Sequence, residues 1–281
     1  MKGLTIIRKR KLGYYVILAP FTVFALFPFY WMIVTSLKTK PELYSLSANP
    51  FLVQKGISWD SYFFLFKETL FTVWYKNSIV SSVLATLISV TVSILAAYSL
   101  ARLKFRGSQF FGISIFFSYL VPPALLFVSL FTVINYLNLA NNIFSLVFAF
   151  PTFAIPFSTW LLMGYFNSIP KEIEEAALVD GASRAQVIIR IIIPIAIPGI
   201  ITSALFSFTL CWGSLIYPLA FISSGPQKVL TSGLLVDLIR GDVFYWGPLM
   251  AAATLTTVPI VIIYSFFMEF FVSGLTQGAI K

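Results

Sequence analysis

Six long apolar segments, separated by short charged ones, constrain this chain more than any other feature of it. They cover roughly 14–37, 71–101, 110–134, 143–166, 191–222 and 245–272. Each is long enough to cross a bilayer as a helix, which takes about 20 residues. Helices are the conformation this pattern allows. An open sheet edge cannot face lipid, and the runs are far longer than the alternating strands of an outer-membrane barrel. Only 10% of the residues are charged and 59% are hydrophobic, against about 25% charged in an average soluble domain. The expected fold class is all-α: a polytopic membrane protein with six transmembrane helices, forming one domain over 1–281.

The basic residues set the expected orientation. Short loops that keep Lys and Arg stay on the cytoplasmic side. One side collects Lys2, Arg8, Lys9, Arg10 and Lys11, then Arg102, Lys104 and Arg106, then Lys171, Arg184 and Arg190, and finally Lys281. The other side has Lys38, Lys40, Lys55, Lys67, Lys76, Lys228 and Arg240, spread over longer loops. Both termini are therefore expected in the cytoplasm. The net charge of +9 is then a topology signal, with membrane lipid as the surroundings and no nucleic-acid partner. The basic start runs into an apolar stretch too long for a signal peptide and without a small-residue cleavage site, so it reads as an uncleaved first span.

Several chemistries are excluded. There is no histidine and a single cysteine, Cys211, which removes Ser-His-Asp and Cys-His catalysis, internal disulfides and zinc sites. No metal site and no catalytic residue are expected. No GxxxxGK[ST] phosphate loop is present, so the chain has no ATPase site of that type. No charged residue falls in the middle of a span. Glu269 comes nearest, towards the inner end of the last one. A mid-membrane charge would have marked an ion or proton relay.

The charged segment 168–190 lies between the fourth and fifth spans. Pro170 suits a first helical turn, and Glu172, Glu174 and Glu175 complement the positive end of a helix dipole. Asp180-Gly181 reads as a helix stop with glycine in the left-handed conformation. Ser183 with Gln186 three residues on makes a capping box for a second helix, and Pro194 kinks or delimits the fifth apolar segment where that helix enters it. The expected shape is helix, tight turn, helix. Ala176, Ala177 and Gly181 let another backbone approach closely, and the carboxylates offer contacts to a basic partner. An interfacial amphipathic helix is the bland alternative, and it accounts poorly for the carboxylates.

Two outer segments, 38–70 and 223–244, are too small for cores of their own and should lie on the membrane domain or on a partner. Trp31 and Trp74, near span ends, read as aromatic-belt residues. Asn135, Ser203, Ser207, Trp212, Ser214 and Tyr217 are polar or aromatic groups within spans. Each is readable as lining a solute route or as helix packing.

At Glu175-Ala176-Ala177, Gly181 and Ile191-x-Ile193-Pro194 the sequence resembles the EAA loop of binding-protein-dependent ABC import permeases, with Ile193 where leucine is usual. The PFYWMIVTSLK run at 28–38, Asn77-Ser78, the AAYSLAR run at 96–102, the PFSTW run at 156–160 and the tail from Gly274 resemble the smaller permease of maltose/trehalose-type sugar importers. Permeases of that subgroup often carry Trp-Asn-Glu in the fifth span. Here Cys211-Trp212-Gly213-Ser214 stands instead.

The resemblance implies a type I importer permease in the plasma (inner) membrane of a prokaryote. Its expected partners are a second homologous permease, two ATP-binding subunits forming a homodimer, and an extracytoplasmic solute-binding protein. ATP and Mg would sit on the partner subunits, with no cofactor in this chain. Glu175, Ala176, Ala177, Asp180, Gly181, Arg184 and Pro194 would couple the chain to the ATPase, and the tail at 274–281 is a further ATPase-side contact. Lys228, Asp237, Arg240 and Asp242 would meet the binding protein, unless 223–244 is simply a solvated loop. The expected function is ATP-driven import of a sugar or oligosaccharide. The rival solutes are a polyol, a glycerophosphate derivative or a peptide. A stand-alone carrier or channel leaves the charged loop without a role and lacks the internal repeat common in carriers. An intramembrane enzyme lacks the side chains for it.

Overall fold

The computed structural model describes the backbone of residues 2–103, 105–240 and 243–277, and the side chains of 15–103, 105–239 and 244–270. The described chain is almost entirely helical. In chain order come α1 (Lys2–Ser36), α2 (Lys40–Leu43), α3 (Asp60–Glu68) and α4 (Phe71–Arg102). Next are α5 (Ser108–Leu120), α6 (Pro123–Tyr136), α7 (Phe144–Ala149) and α8 (Pro151–Ser168). The charged segment holds α9 (Lys171–Val179) and α10 (Arg184–Val187), then a π turn (Ile188–Ile192) and α11 (Ile193–Ile195). After it come α12 (Ile197–Trp212), α13 (Ile216–Phe221), a 3-10 turn (Gly225–Gln227) and α14 (Leu230–Leu238). A two-residue antiparallel pair, β1 (Ile239–Arg240) and β2 (Val243–Phe244), precedes α15 (Trp246–Gln277).

Among the described residues four helical stretches are long and apolar enough to cross a membrane, and counting each of two bent pairs as one span gives six. The bends have a sequence cause. The 110–134 segment is not one straight helix: α5 and α6 meet at 99°. Val121 and Pro122 both precede a proline, which disfavours helical backbone, and both are extended there, with ψ of 120° and 131°. The second bend, 76°, separates Arg184–Ile195 from Ile197–Trp212. It falls between Pro194 and Pro198, neither of which can donate to the helix ladder.

The chain packs as two compact units, Met1–Thr69 with Val236–Val258, and Leu70–Leu235 with Pro259–Lys281. In the first, α1 leaves Val16, Phe21 and Phe24 exposed, as a lipid- or protein-facing helix must. The loop after it is held by two buried charges, Lys38 and Glu42, beside the packing of Phe51 on Trp31 and Phe27. Lys38 Nζ donates to the carbonyls of Asn49 (2.7 Å) and Pro50 (3.0 Å). Glu42 accepts from the backbone N–H groups of Gln54 (2.8 Å) and Lys55 (3.1 Å). The Gln54 bond, against the opposing effect of burial, holds the Glu42 carboxyl below its ordinary pKa, with Lys55 and Lys38 acting in the same direction.

In the second unit α4 is the central helix, packed against α8 and α12. Between the large buried residues at its two ends, Trp74 and Tyr98, its buried face is mostly small: Ser78, Ser82, Ala85, Ser89, Ser93 and Ala97. Small residues let helix backbones approach, and hydroxyls tie them. Ser93 Oγ donates to the Ile155 carbonyl on α8 (3.1 Å), and Ser158 of α8 bonds Ser207 of α12 at 2.7 Å. Trp74 corrects a sequence expectation. It is not a belt residue but fully buried, its indole N–H donating to the Gly225 carbonyl at 2.9 Å. The ring is covered by Gly233, where an added Cβ would lie 2.3 Å from it.

Candidate functional site

The charged segment is a helical hairpin whose turn is written in its own residues. α9 ends in a Schellman closure: Gly181 N–H reaches the Leu178 carbonyl (3.1 Å) and Ala182 N–H the Ala177 carbonyl (3.0 Å). Gly181 has the left-handed φ of +87° that this closure needs. Two residues later Ser183 and Gln186 form the reciprocal capping box that opens α10. Glu175, Ala176, Asp180, Gly181 and Arg184 are exposed, and Ala177 is half-buried. Val179, an apolar residue at the turn, is 87% exposed.

The opposite side of the hairpin is anchored. Glu174 is buried, and its carboxylate pairs with Arg102 Nε at the end of α4 (2.7 Å) while accepting from the Tyr98 hydroxyl (3.0 Å). Arg102 also donates through Nη2 to the Ile169 carbonyl (2.6 Å) at the hairpin's root. Tyr98, Leu162, Phe166, Ile169, Val187 and Ile192 form the apolar cluster beneath it. The arm from α10 to α11 includes the π turn just ahead of Pro194, whose missing N–H breaks the ordinary ladder. Pro194 itself is exposed. Beyond the elbow, Gly199 lies so close to Tyr165 of α8 that an added Cβ would stand 2.6 Å from its ring.

The six residues read as route or packing separate. Ser203, Ser207, Trp212 and Tyr217 are buried within this chain. Ser207 bonds Ser158, Trp212 stacks on Phe208 (5.6 Å between centroids), and Tyr217 stacks on Phe150 (6.5 Å). Asn135 is exposed, its amide bonded to the Phe131 carbonyl of its own helix. Ser214 is half-buried, its carbonyl accepting from Thr231. In the outer segment, residues 223–230 are stapled down. Asn77 Nδ2 donates to the Pro226 and Lys228 carbonyls, Ser78 Oγ accepts from Leu230 N–H, and Asn141 Oδ1 accepts from the N–H groups of Ser223 and Ser224. Lys228 is largely buried and Asp237 half-buried. The Arg240 side chain, Asp242 and the last four residues of the tail lie outside the described residues.

Residues 89–277, which contain this hairpin, α8, α12 and the second half of α4, match the family of binding-protein-dependent transport system inner membrane components. The chain belongs to that family. It is 35% identical to the inner membrane ABC transporter permease YcjP of Escherichia coli, over 96% of each chain. It is 34% identical to the trehalose/maltose transport permease MalG of Thermococcus litoralis, over 92% of each. A subunit of a solved bacterial transporter that imports the acidic polysaccharide alginate shares its fold, with a TM-score of 0.78 at 23% identity, over 94% of this chain and 97% of that one. This permease is a multi-pass protein of the inner membrane.

The fold assigns tasks that sequence reasoning leaves open. Asn77 and Ser78, which the sequence marks only as a family likeness, fasten the outer segment to α4. Glu174, which the motif leaves in the shade of its neighbour Glu175, is the buried member of the acidic run. The sequence does not single it out: in α9 both Glu174 and Glu175 lie one turn before Leu178, at i+4 and i+3 spacing, and only the fold buries the first and leaves the second exposed. Its partner Arg102 stands out in the sequence only as a topology charge and as the last residue of the family-like run at 96–102.

Proposed function

We propose that this permease is the smaller membrane subunit of an ATP-driven importer of a sugar or oligosaccharide, working beside a second, homologous permease. Two identical ATP-binding subunits hold ATP and Mg on the cytoplasmic side, and an extracytoplasmic binding protein delivers the solute. The observation that carries this reading is the hairpin. It presents an exposed tip of Val179, Asp180 and Gly181 on a base that is fastened to three of the long helices. A lever needs both properties.

In this reading Glu175 meets a basic group of the ATPase, while Ala176 and Ala177 let its backbone close in. Gly181 makes the turn that brings Arg184 and the second helix back to the base. Closure of the ATPases pulls on the tip, and the elbow before α12 turns that pull into a change in helix arrangement. The membrane helices thereby shift between two states of similar energy. Pro194 keeps the arm and α12 as separate rods.

The sugar class follows from likeness to permeases named for trehalose, maltose and diacetylchitobiose transport. Asn135, which is exposed, and Ser214, which is half-buried, are the accessible members of the six route residues and the first to test for solute contact. Asp237, Arg240 and Asp242 are read as contacts to the binding protein; Lys228, whose burial argues against such a contact, is left to hold the loop. Within 223–230 the stapled loop offers that partner a preformed surface.

The test is ATP-driven uptake by the full complex in proteoliposomes, with the solute set by titrating mono- and oligosaccharides, polyols and peptides onto the cognate binding protein. Tight binding of a saccharide, with uptake dependent on ATP, is the expected result. A binding protein that takes only a peptide or polyol overturns the sugar assignment.

A further inference from the structure

The Glu174–Arg102 pair has a geometry that simple stability does not require. Replacing a buried ion pair by well-packed apolar groups is often neutral or stabilising, so such a pair is weak evidence for stability alone. What it supplies here is direction. Arg102 uses Nε for the Glu174 carboxylate and Nη2 for the Ile169 carbonyl, while the Tyr98 hydroxyl holds the second carboxylate oxygen. Four groups from α4 and the hairpin are thereby brought together, through two hydrogen bonds and, between Arg102 Nε and Glu174 Oε1, an ion pair that lacks hydrogen-bond alignment. The hairpin is joined covalently to α8 and, through its arm, to α12. No direct segment of chain joins it to α4, which packs against both of those helices.

We propose that Glu174 is a positioning residue: with Arg102 and Tyr98 it clamps the hairpin to the end of α4, so that the two move as one body when the ATPases pull. The clamp adds a third helix to the two the chain already connects. The stroke then reaches the centre of the bundle directly instead of passing first through α8 or α12. The clamp's part in transport rests on the coupling role proposed for the hairpin.

The experiment uses the assembled transporter in a Cys211→Ala background, with spin labels at Leu103→Cys and Val179→Cys. Two quantities are read: the distribution of the label-to-label distance with and without ATP, and the ratio of binding-protein-stimulated to basal ATP hydrolysis. With Glu174 intact, the distance is expected to be narrow and the same in both nucleotide states. Glu174→Gln broadens it and lowers the stimulation ratio by roughly two- to thirtyfold, the range that coupling mutations give. Arg102→Lys, which keeps the charge, retains more of the ratio than Glu174→Gln does. Tyr98→Phe removes a single hydroxyl and is read in the same way if Glu174→Gln fails to accumulate.

A distance that stays narrow in Glu174→Gln overturns the clamp, whatever the ratio does. A broadened distance with an unchanged ratio overturns its part in the stroke. If the distance broadens as expected while the hairpin tip never crosslinks to an ATP-binding subunit, the clamp stands and the coupling reading of the hairpin falls.

Discussion

Arg102 and Glu174, 72 positions apart in the sequence, lie with Nε and Oε1 at 2.7 Å, both side chains almost wholly buried. The contact fastens the end of α4, the central helix of its unit, to the root of an exposed hairpin. The hairpin's two sides therefore have separate physical tasks: one holds, and the other is free to be held.

The free side is sensitive at Gly181. Its φ of +87° costs an L-residue roughly 1–2 kcal/mol, but an added Cβ meets nothing within 4 Å. Gly181→Asp should therefore insert and accumulate close to the wild-type level. ATP-driven uptake should fall by about tenfold or more, equivalent to losing roughly 1.4 kcal/mol or more at an interface. Immunoblotting of membranes alongside uptake measures both. Wild-type uptake in this variant would show that the tip docks nowhere important.

Gly199 and Gly233 test packing instead of docking. Each faces an aromatic ring closer than a Cβ can approach, Tyr165 and Trp74 respectively. Alanine at either position should lower thermal stability by about 1–3 kcal/mol through overpacking. Tyr165→Leu should relieve much of the Gly199→Ala penalty, which a double-mutant cycle in detergent reads directly. Additive effects would show that the two helices do not meet there.

The outer loop should loosen in acid. In the folded protein the Glu42 carboxyl lies below its ordinary pKa, chiefly through the Gln54 N–H, so it binds its proton less readily than in the unfolded chain. Its stabilising effect is fully present above the unfolded value of about 4.3. It is lost as pH falls through the lower, folded value. Proteolysis within 44–58 by an acid-active protease should rise across that window in the wild type. In Glu42→Gln, which cannot titrate there, the rise should be absent. Identical pH profiles would remove Glu42 from the account.

The isolated chain should bind no nucleotide, since it carries no phosphate-binding loop of the P-loop type. Equilibrium binding of a fluorescent ATP analogue to the purified subunit checks this. Saturable binding displaced by ATP would contradict it.

Legibility in the sequence tracks the range of the interactions. The turn at Asp180-Gly181 and the box at Ser183 and Gln186 are closed by bonds between near neighbours, so a few residues specify them. Hydropathy alone marks the helices because lipid leaves the backbone no other partners. The break between α5 and α6 is present in Pro122-Pro123 but hidden by the unbroken apolar run around it. The burial of Trp74 is not legible, because it depends on Gly225 and Gly233, more than 150 positions away. The same holds for Ser203, Ser207, Trp212 and Tyr217. A polar side chain in a span looks alike whether it faces a route or a neighbouring helix.

The most direct test of the account is a crosslink from the hairpin tip. Val179→Cys, exposed at the turn, should be joined to an engineered cysteine on the ATP-binding subunit in intact membranes, by a disulfide when an oxidant is added or by a short bis-maleimide. The yield should change when ATP is added. The same residue labelled only from outside the cell, or never captured by a nucleotide-hydrolysing partner, would contradict it.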